Sequence, residues 1–387
     1  MVAPAGISPN ADGQTDVAVV AFTLSETSYV SFFLTDSQGR QFTYRTDTRL
    51  AGTREPYSVY FAGVVDAFSL PDDVDGVGGT VVRRVVPDGE YTWTLHAESV
   101  TGREHTSRGP LTVTDAEDRL PAILGLQASP ETFSPNQDGI EDDVAISLTL
   151  DRDVQDLRVH IRGADGMDRP VEEDERLATP TEAGEHVFVW DGGIAEGLDP
   201  PPDGVTTVVA EAQDEVGQLV VAGASIQIVD AGQPSAYVVA GDVDYSATTL
   251  VLSDTLCFTL TVENDGEAPI RTTGPWPGAT YADQQNFNTL GWPEDSGVFR
   301  IAMDYDAGSH AYPFRWGIGT PGVDLVRRGD AWYLEPGARS CVHGCVQITE
   351  IPERNPLHFW MGLLHEDVEM SLVNHRVDPA FVTIWEP

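Results

Sequence analysis

Alternation of apolar and polar residues is the dominant pattern along this chain. Ala18, Val20, Phe22 and Leu24 fall at every second position. Successive strand side chains point to opposite faces, so this run predicts a strand with one buried face. Val30-Ser31-Phe32-Phe33-Leu34 predicts a second strand, turned back by Asp36-Ser37-Gln38-Gly39-Arg40. Tyr57, Val59 and Phe61 mark a third, and Pro87-Asp88-Gly89 turns into a fourth with Tyr91, Trp93, Leu95 and Ala97 on one face. Leu111-Thr112-Val113-Thr114 closes the series. The order then returns: Val144, Ile146, Leu148 and Leu150; Leu157 to Ile161 with a turn at Gly163-Ala164-Asp165-Gly166; Phe188 and Trp190; Pro202-Asp203-Gly204; and Ile226 with Ile228. Helical periodicity is absent throughout, so the expected class is all-β.

A shift of 126 positions carries Ser8 onto Ser134, and one of 115 carries Asp115 onto Asp230, so the first copy is longer by a net eleven residues. The excess falls in the Gly- and Asp-rich stretch Val64–Val86. Each copy has the short strands and turn spacing of a β-sandwich. Residues 235–387 differ from both: Leu256, Phe258, Leu260 and Val262 alternate, with Glu263-Asn264-Asp265-Gly266 as a turn and Tyr333-Leu334-Glu335-Pro336-Gly337 before another strand. The expected architecture is three tandem Ig-like antiparallel β-sandwiches, at 1–115, 123–231 and 235–387. The third carries long loop insertions at Gly274–Gly297 and Tyr305–Gly329. Short, proline-marked linkers at Asp115–Ala122 and Asp230–Ser235 predict a semi-rigid chain of modules.

The duplicated unit opens on S-P-N-x-D-G-x-x-D, at Ser8 to Asp16 and again at Ser134 to Asp142. Ser8, Asn10, Asp12 and Asp16, with Gln14 between, stand where an EF-hand loop places ligands one, three, five and nine. Ser134, Asn136, Asp138, Ile140 and Asp142 repeat the set. These ten residues are candidate calcium ligands, although Val19 and Ala145 occupy the place of the bidentate glutamate. The alternative is an Asx-turn, in which Asn and Asp bond their own backbone and glycine takes positive φ.

Composition narrows the partners. The 387 residues include 62 acidic and 22 basic ones, all arginine, for a net charge of −40. Such a surface repels nucleic acid and anionic lipid and attracts divalent cations. No stretch approaches eighteen consecutive apolar residues, so no membrane span is expected. The N-terminus lacks a basic-then-apolar leader, so export implies a mature or trimmed form.

The S-P-N-x-D-G-x-x-D opening, Trp190-Asp191-Gly192 and the P-D-G turn before a strand resemble FlgD-type Ig-like domains and related C-terminal modules of exported bacterial surface proteins. The first copy departs at Phe61-Ala62-Gly63, where W-D-G is expected. The V-x-N-x-G and L-x-P-G arrangement of the last domain resembles CARDB-type adhesion sandwiches. These resemblances imply an extracellular, non-catalytic spacer or docking module.

Candidate chemistry is sparse. Trp276, Trp292 and Trp316 lie in Pro/Gly-rich stretches and are candidates for stacking on glycans; covering their own domain's loops is the alternative. Cys341 and Cys345 are candidates for a local disulfide, with free thiols next, or with His343 for a zinc site completed by His358, His365 or His375. No G-x-S-x-G or comparable nucleophile setting is present, so no enzyme is expected. Three classes of function remain: a cell-surface stalk, adhesin or filament subunit, a carbohydrate-binding accessory module, or the C-terminal tail of a larger secreted hydrolase. In the first, edge strands at both ends suggest head-to-tail self-association, or contact with other surface proteins.

Overall fold

The computed structural model describes residues 1–70, 78–173, 179–308, 310–370 and 372–386. The chain is all-β, with sheets that pack into sandwiches, and the three short helical turns among the described residues are of the 3-10 type. By contacts it forms two compact units, one of Met1–Ser129, Ala145–Trp190 and Thr206–Ile226, the other of Pro130–Val144, Asp191–Val205 and Gln227–Pro387.

The first unit opens with a sandwich of three and five strands. Ala18–Leu24 lies between Val2–Ala3 and Thr53–Phe61 in one sheet. The other runs Gly6–Ile7, Glu104–Val113, Gly89–Ser99, Ser28–Asp36 and Gln41–Leu50. Ala18, Val20, Phe32, Leu34, Phe61, Trp93 and Leu111 bury their side chains between the sheets, as their alternation predicts. Gln41–Leu50 pairs with Ser28–Asp36 across the Asp36–Arg40 turn and buries Phe42 in the core.

The second repeat keeps this topology. Val144–Leu150 lies between Ile123–Ser129 and Gly184–Trp190. Even the short parallel contact is duplicated: Gly6–Ile7 runs beside Thr112 and Val113, and Thr132–Phe133 beside Gln227 and Ile228. The corner at Phe61-Ala62-Gly63 is not rebuilt by its lost tryptophan. Phe61 is fully buried, as Trp190 nearly is. Gly63 (φ 75°) and Gly192 (φ 83°) each pack against the motif proline of their own copy, Pro9 and Pro135.

The stretch Val64–Val86 is more than a loop, although its residues 71–77 lie outside the described ones. Val64–Asp66 pairs with Thr80–Val85, and Thr80–Val85 pairs with Leu219 to Val221 of the second repeat. The excess residues of one copy thus extend the other copy's sheet, protecting an edge that would otherwise stay unpaired. The expected linker near Asp115–Ala122 is also tied down: the Gln218 amide donates to the carbonyls of Glu117 and Arg119, and Arg119 pairs with Asp151.

In the second unit, residues 236–385 form two further five-stranded sheets and a three-stranded one. Thr255–Asn264 and Arg339–Gln347 are central to one sheet, Phe299–Tyr305 and Leu357–His365 to the other. The expected insertions contribute strands of their own. Thr280–Ala282 joins the first sheet in parallel, and Phe314–Gly317 pairs with Phe299–Tyr305. Their short length and Pro/Gly flanks hid them from a periodicity reading.

Candidate functional site

The two S-P-N-x-D-G-x-x-D loops fold alike. In the first, Asp16 Oδ1 accepts the Asn10 and Ala11 amides at 3.3 and 3.1 Å, and Oδ2 accepts the Gly13 amide at 2.8 Å. Asn10 Oδ1 accepts from Asp12 N, and Asp12 Oδ1 from Gln14 N. In the second, Asp142 accepts the amides of Asp138 and Gly139, Asn136 that of Asp138, and Asp138 that of Ile140. Ser8 and Ser134 hydroxyls donate to the carbonyls of Gln14 and Ile140. Gly13 and Gly139 share φ 81°, a value that suits glycine.

This wiring is that of Asx-turns. The candidate calcium ligands aim their oxygens at backbone amides rather than at a common point. Among the described residues, no group of three or more His, Cys, Asp and Glu side chains could hold a metal ion. The donor set therefore does not fit calcium as it stands.

The loops differ in what surrounds them. Ala11, Asp12 and Gly13 are exposed. In the second unit, Asn136 and Asp138 are 2% and 5% exposed, because Tyr333 and His365 of the same unit close over this loop. Tyr333 donates its hydroxyl to Asp138 Oδ2 at 2.7 Å, and His365 Nε2 meets the Gln137 carbonyl at 2.8 Å. That contact requires the Nε2–H tautomer or the imidazolium. His365 also stacks on Phe299, ring centroids 4.0 Å apart.

Burial shifts the titrations here. Desolvation, with the Asp138 charge behind it, pushes the Asp142 carboxyl up to about 6 against the opposing backbone amides. Asp138 is raised by desolvation although the Tyr333 hydroxyl favours its anion. Desolvation takes the His365 imidazole down to about 4. Beneath the site, Glu366 is buried and accepts from Arg300 at 3.0 Å and Arg315 at 2.7 Å, while Arg315 lies over Phe287. Neither arginine's role was legible in the sequence.

Other candidates move. Trp316 is fully buried on the strand Phe314–Gly317, edge-on to Phe258 and Tyr281, with its indole N–H on the Ala279 carbonyl at 3.0 Å. It is a core residue and cannot stack on a glycan. Trp276 is half-buried and packs against the same core, and Trp292 is half-buried in its loop. The expected Cys341–Cys345 disulfide is also replaced: Cys345 bonds Cys257, and Cys341 is an exposed free thiol. Cys257 and Cys345 are directly opposite in register. Their amides turn elsewhere, to Ser246 Oγ and the Ala279 carbonyl, which marks the closely spaced kind of antiparallel pair. The zinc alternative loses Cys345 to this bond and His365 to Gln137.

No protein-family model and no curated protein matches the chain. Solved structures do. A tetra-tandem repeat from the extending region of a large adhesion protein aligns at 14% identity over 99% of this chain and 71% of that one, TM-score 0.21. A Ca2+-stabilized adhesin that helps an Antarctic bacterium bind ice aligns at 12% identity over 99% and 72%, TM-score 0.26. A DUF4785 family protein from Legionella pneumophila aligns at 12% identity over 94% and 81%, TM-score 0.25. Likeness at this level carries no statement about what this chain binds.

Proposed function

We propose that this protein is a non-catalytic extracellular structural protein, a cell-surface adhesin or stalk built from Ig-like sandwich repeats. One observation carries the reading: the residues richest in chemistry, the two duplicated loops, spend their side chains on backbone amides, and in the second copy on a neighbouring sandwich. That is an architectural role. The cross-strand Cys257–Cys345 disulfide supports an oxidising compartment, and the net charge of −40 suits an exposed surface rather than nucleic acid.

The FlgD-type reading of the repeats, the CARDB-like reading of the last domain and the three-domain division belong to this proposal. So do contacts with other surface proteins or further copies of the chain. A glycan-binding role is less favoured, since Trp316 is buried and Trp276 packs on the core. The test is immunogold electron microscopy of cells that express the protein. Label on the outer surface supports the proposal, and label confined to the cell interior overturns it.

A further inference from the structure

We propose that the Ser8–Asp16 loop, exposed at residues 11–15, is a plug for a partner domain. That partner is a β-sandwich presenting a phenol hydroxyl, an imidazole N–H and a glycine-lined backbone, as Tyr333, His365 and Gly297 present them to the second loop. The chain carries the same plug twice, one copy seated in a socket and the other open to solvent. The inference is independent of where the protein resides.

Three features of the seated copy enter its socket. Asp138 Oδ2 takes the Tyr333 hydroxyl at 2.7 Å. The Gln137 carbonyl takes His365 Nε2 at 2.8 Å. The backbone at Gly139 lies so close to the socket that a Cβ there would stand 2.1 Å from the Ser296 carbonyl oxygen; a Cβ on Gly297 would stand 2.1 Å from Asp138 C.

Every one of these features exists in the first loop. Asp12 stands for Asp138, and Gly13 for Gly139 at the same φ. Ala11 offers its carbonyl where Gln137 does, at φ 62° against 54°. Three residues differ: Ala11 for Gln137, which enters only through its carbonyl, and Gln14 for Ile140 and Thr15 for Glu141, which are exposed in both copies. Both loops share the Asx bonds of Asn10/Asn136 and Asp12/Asp138 and the glycine amide held by the closing aspartate, so the first loop is preorganised and little ordering entropy opposes docking. Charge agrees: the socket holds Arg271, anchored to Asp295 at 2.9 Å, while the loop offers a carboxylate.

This chain's own socket is filled by its own second loop, so the natural partner carries an open one. Opening the chain's socket converts a second copy into the probe. Gly139→Ala should expel the second loop by its clash with Ser296. Sedimentation velocity across protein concentration would then compare wild type, G139A and the double variant G13A/G139A, with circular dichroism reporting the fold. G139A should gain concentration-dependent oligomers, at least about tenfold above the wild-type fraction at equal concentration. The double variant should return to the wild-type pattern, because its first loop now carries the same obstructive methyl. Asp138→Ala opens the socket without a new side chain and serves if G139A misfolds; adding Asp12→Ala should abolish its oligomers. Sedimentation of G139A or, where that misfolds, D138A like wild type overturns the proposal. So does oligomerisation of the double variants equal to that of the single ones.

Discussion

The Tyr333 hydroxyl donates to Asp138 Oδ2 at 2.7 Å, joining residues 195 positions apart. Both groups are buried, and the tyrosine is raised by desolvation and by the carboxylate it serves. Removing the hydroxyl leaves a buried carboxylate oxygen without its donor, a loss worth about 1–3 kcal/mol. Tyr333→Phe should therefore lower stability by that amount in chemical denaturation. A double-mutant cycle with Asp138→Ala should show coupling between the two sites; strict additivity would mean the bond contributes nothing.

Acid should act on the buried second loop and its surroundings in two opposing senses. His365 titrates near 4 in the fold against about 6.5 when unfolded. Its neutral form therefore stabilises above 6.5, and that stability is lost as pH falls from 6.5 to 4. Asp142 titrates near 6 in the fold, above its unfolded value of about 3.9, so its ionised form penalises the fold above 6 and relief comes as pH falls from 6 to 4. His365→Gln should flatten the acid loss between pH 6.5 and 4, and Asp142→Asn should steepen it. Identical pH–stability profiles for the variants and wild type would contradict both assignments.

Gly344 lies against the buried indole of Trp316, and a Cβ there would stand 2.3 Å from Trp316 Cε2. Gly344→Ala should cost about 1–3 kcal/mol through overpacking. At Gly223 the nearest atom would be 3.5 Å away, so Gly223→Ala should be close to neutral. Thermal melts of the two variants make the comparison.

The Cys257–Cys345 bond closes a separation of 88 residues. The double change Cys257→Ala/Cys345→Ala should cost about 2–4 kcal/mol. Cys341→Ser, at an exposed free thiol, should leave both the melting temperature and the Cys257–Cys345 linkage found by peptide mapping unchanged. Peptide mapping that finds Cys341 joined to Cys345 would refute the pairing.

Chelation tests the loops. Their carboxylates already hold three amides at Asp16 and two at Asp142, so a chelator should leave the melting temperature unchanged. Asp16→Ala should lower it equally with and without chelator. A melting temperature that falls with chelator, and no longer does so in Asp12→Ala, would show that the donors rearrange around calcium.

Much of this protein was legible in the chain because its determinants are local. Alternation at Val144 to Leu150 needs only the strand's two-residue period, and the duplicated loops need only Asn, Asp and Gly at fixed spacing. The repeat itself shows in the string Ser8 to Asp16 and its return at Ser134. What tertiary structure decided were choices among partners that local pattern leaves equivalent. Thr80–Val85 pairs with the other repeat's sheet because an unpaired edge accepts any strand that reaches it. Cys345 bonds Cys257 rather than Cys341 because strand register, not nearness in sequence, sets side chains opposite each other. Trp316 is buried because a strand too short to show a period carries it into the core. The same nine-residue motif is solvated at Asp12 and buried at Asp138, because a motif specifies its own turn and the neighbouring surface specifies whether anything closes over it.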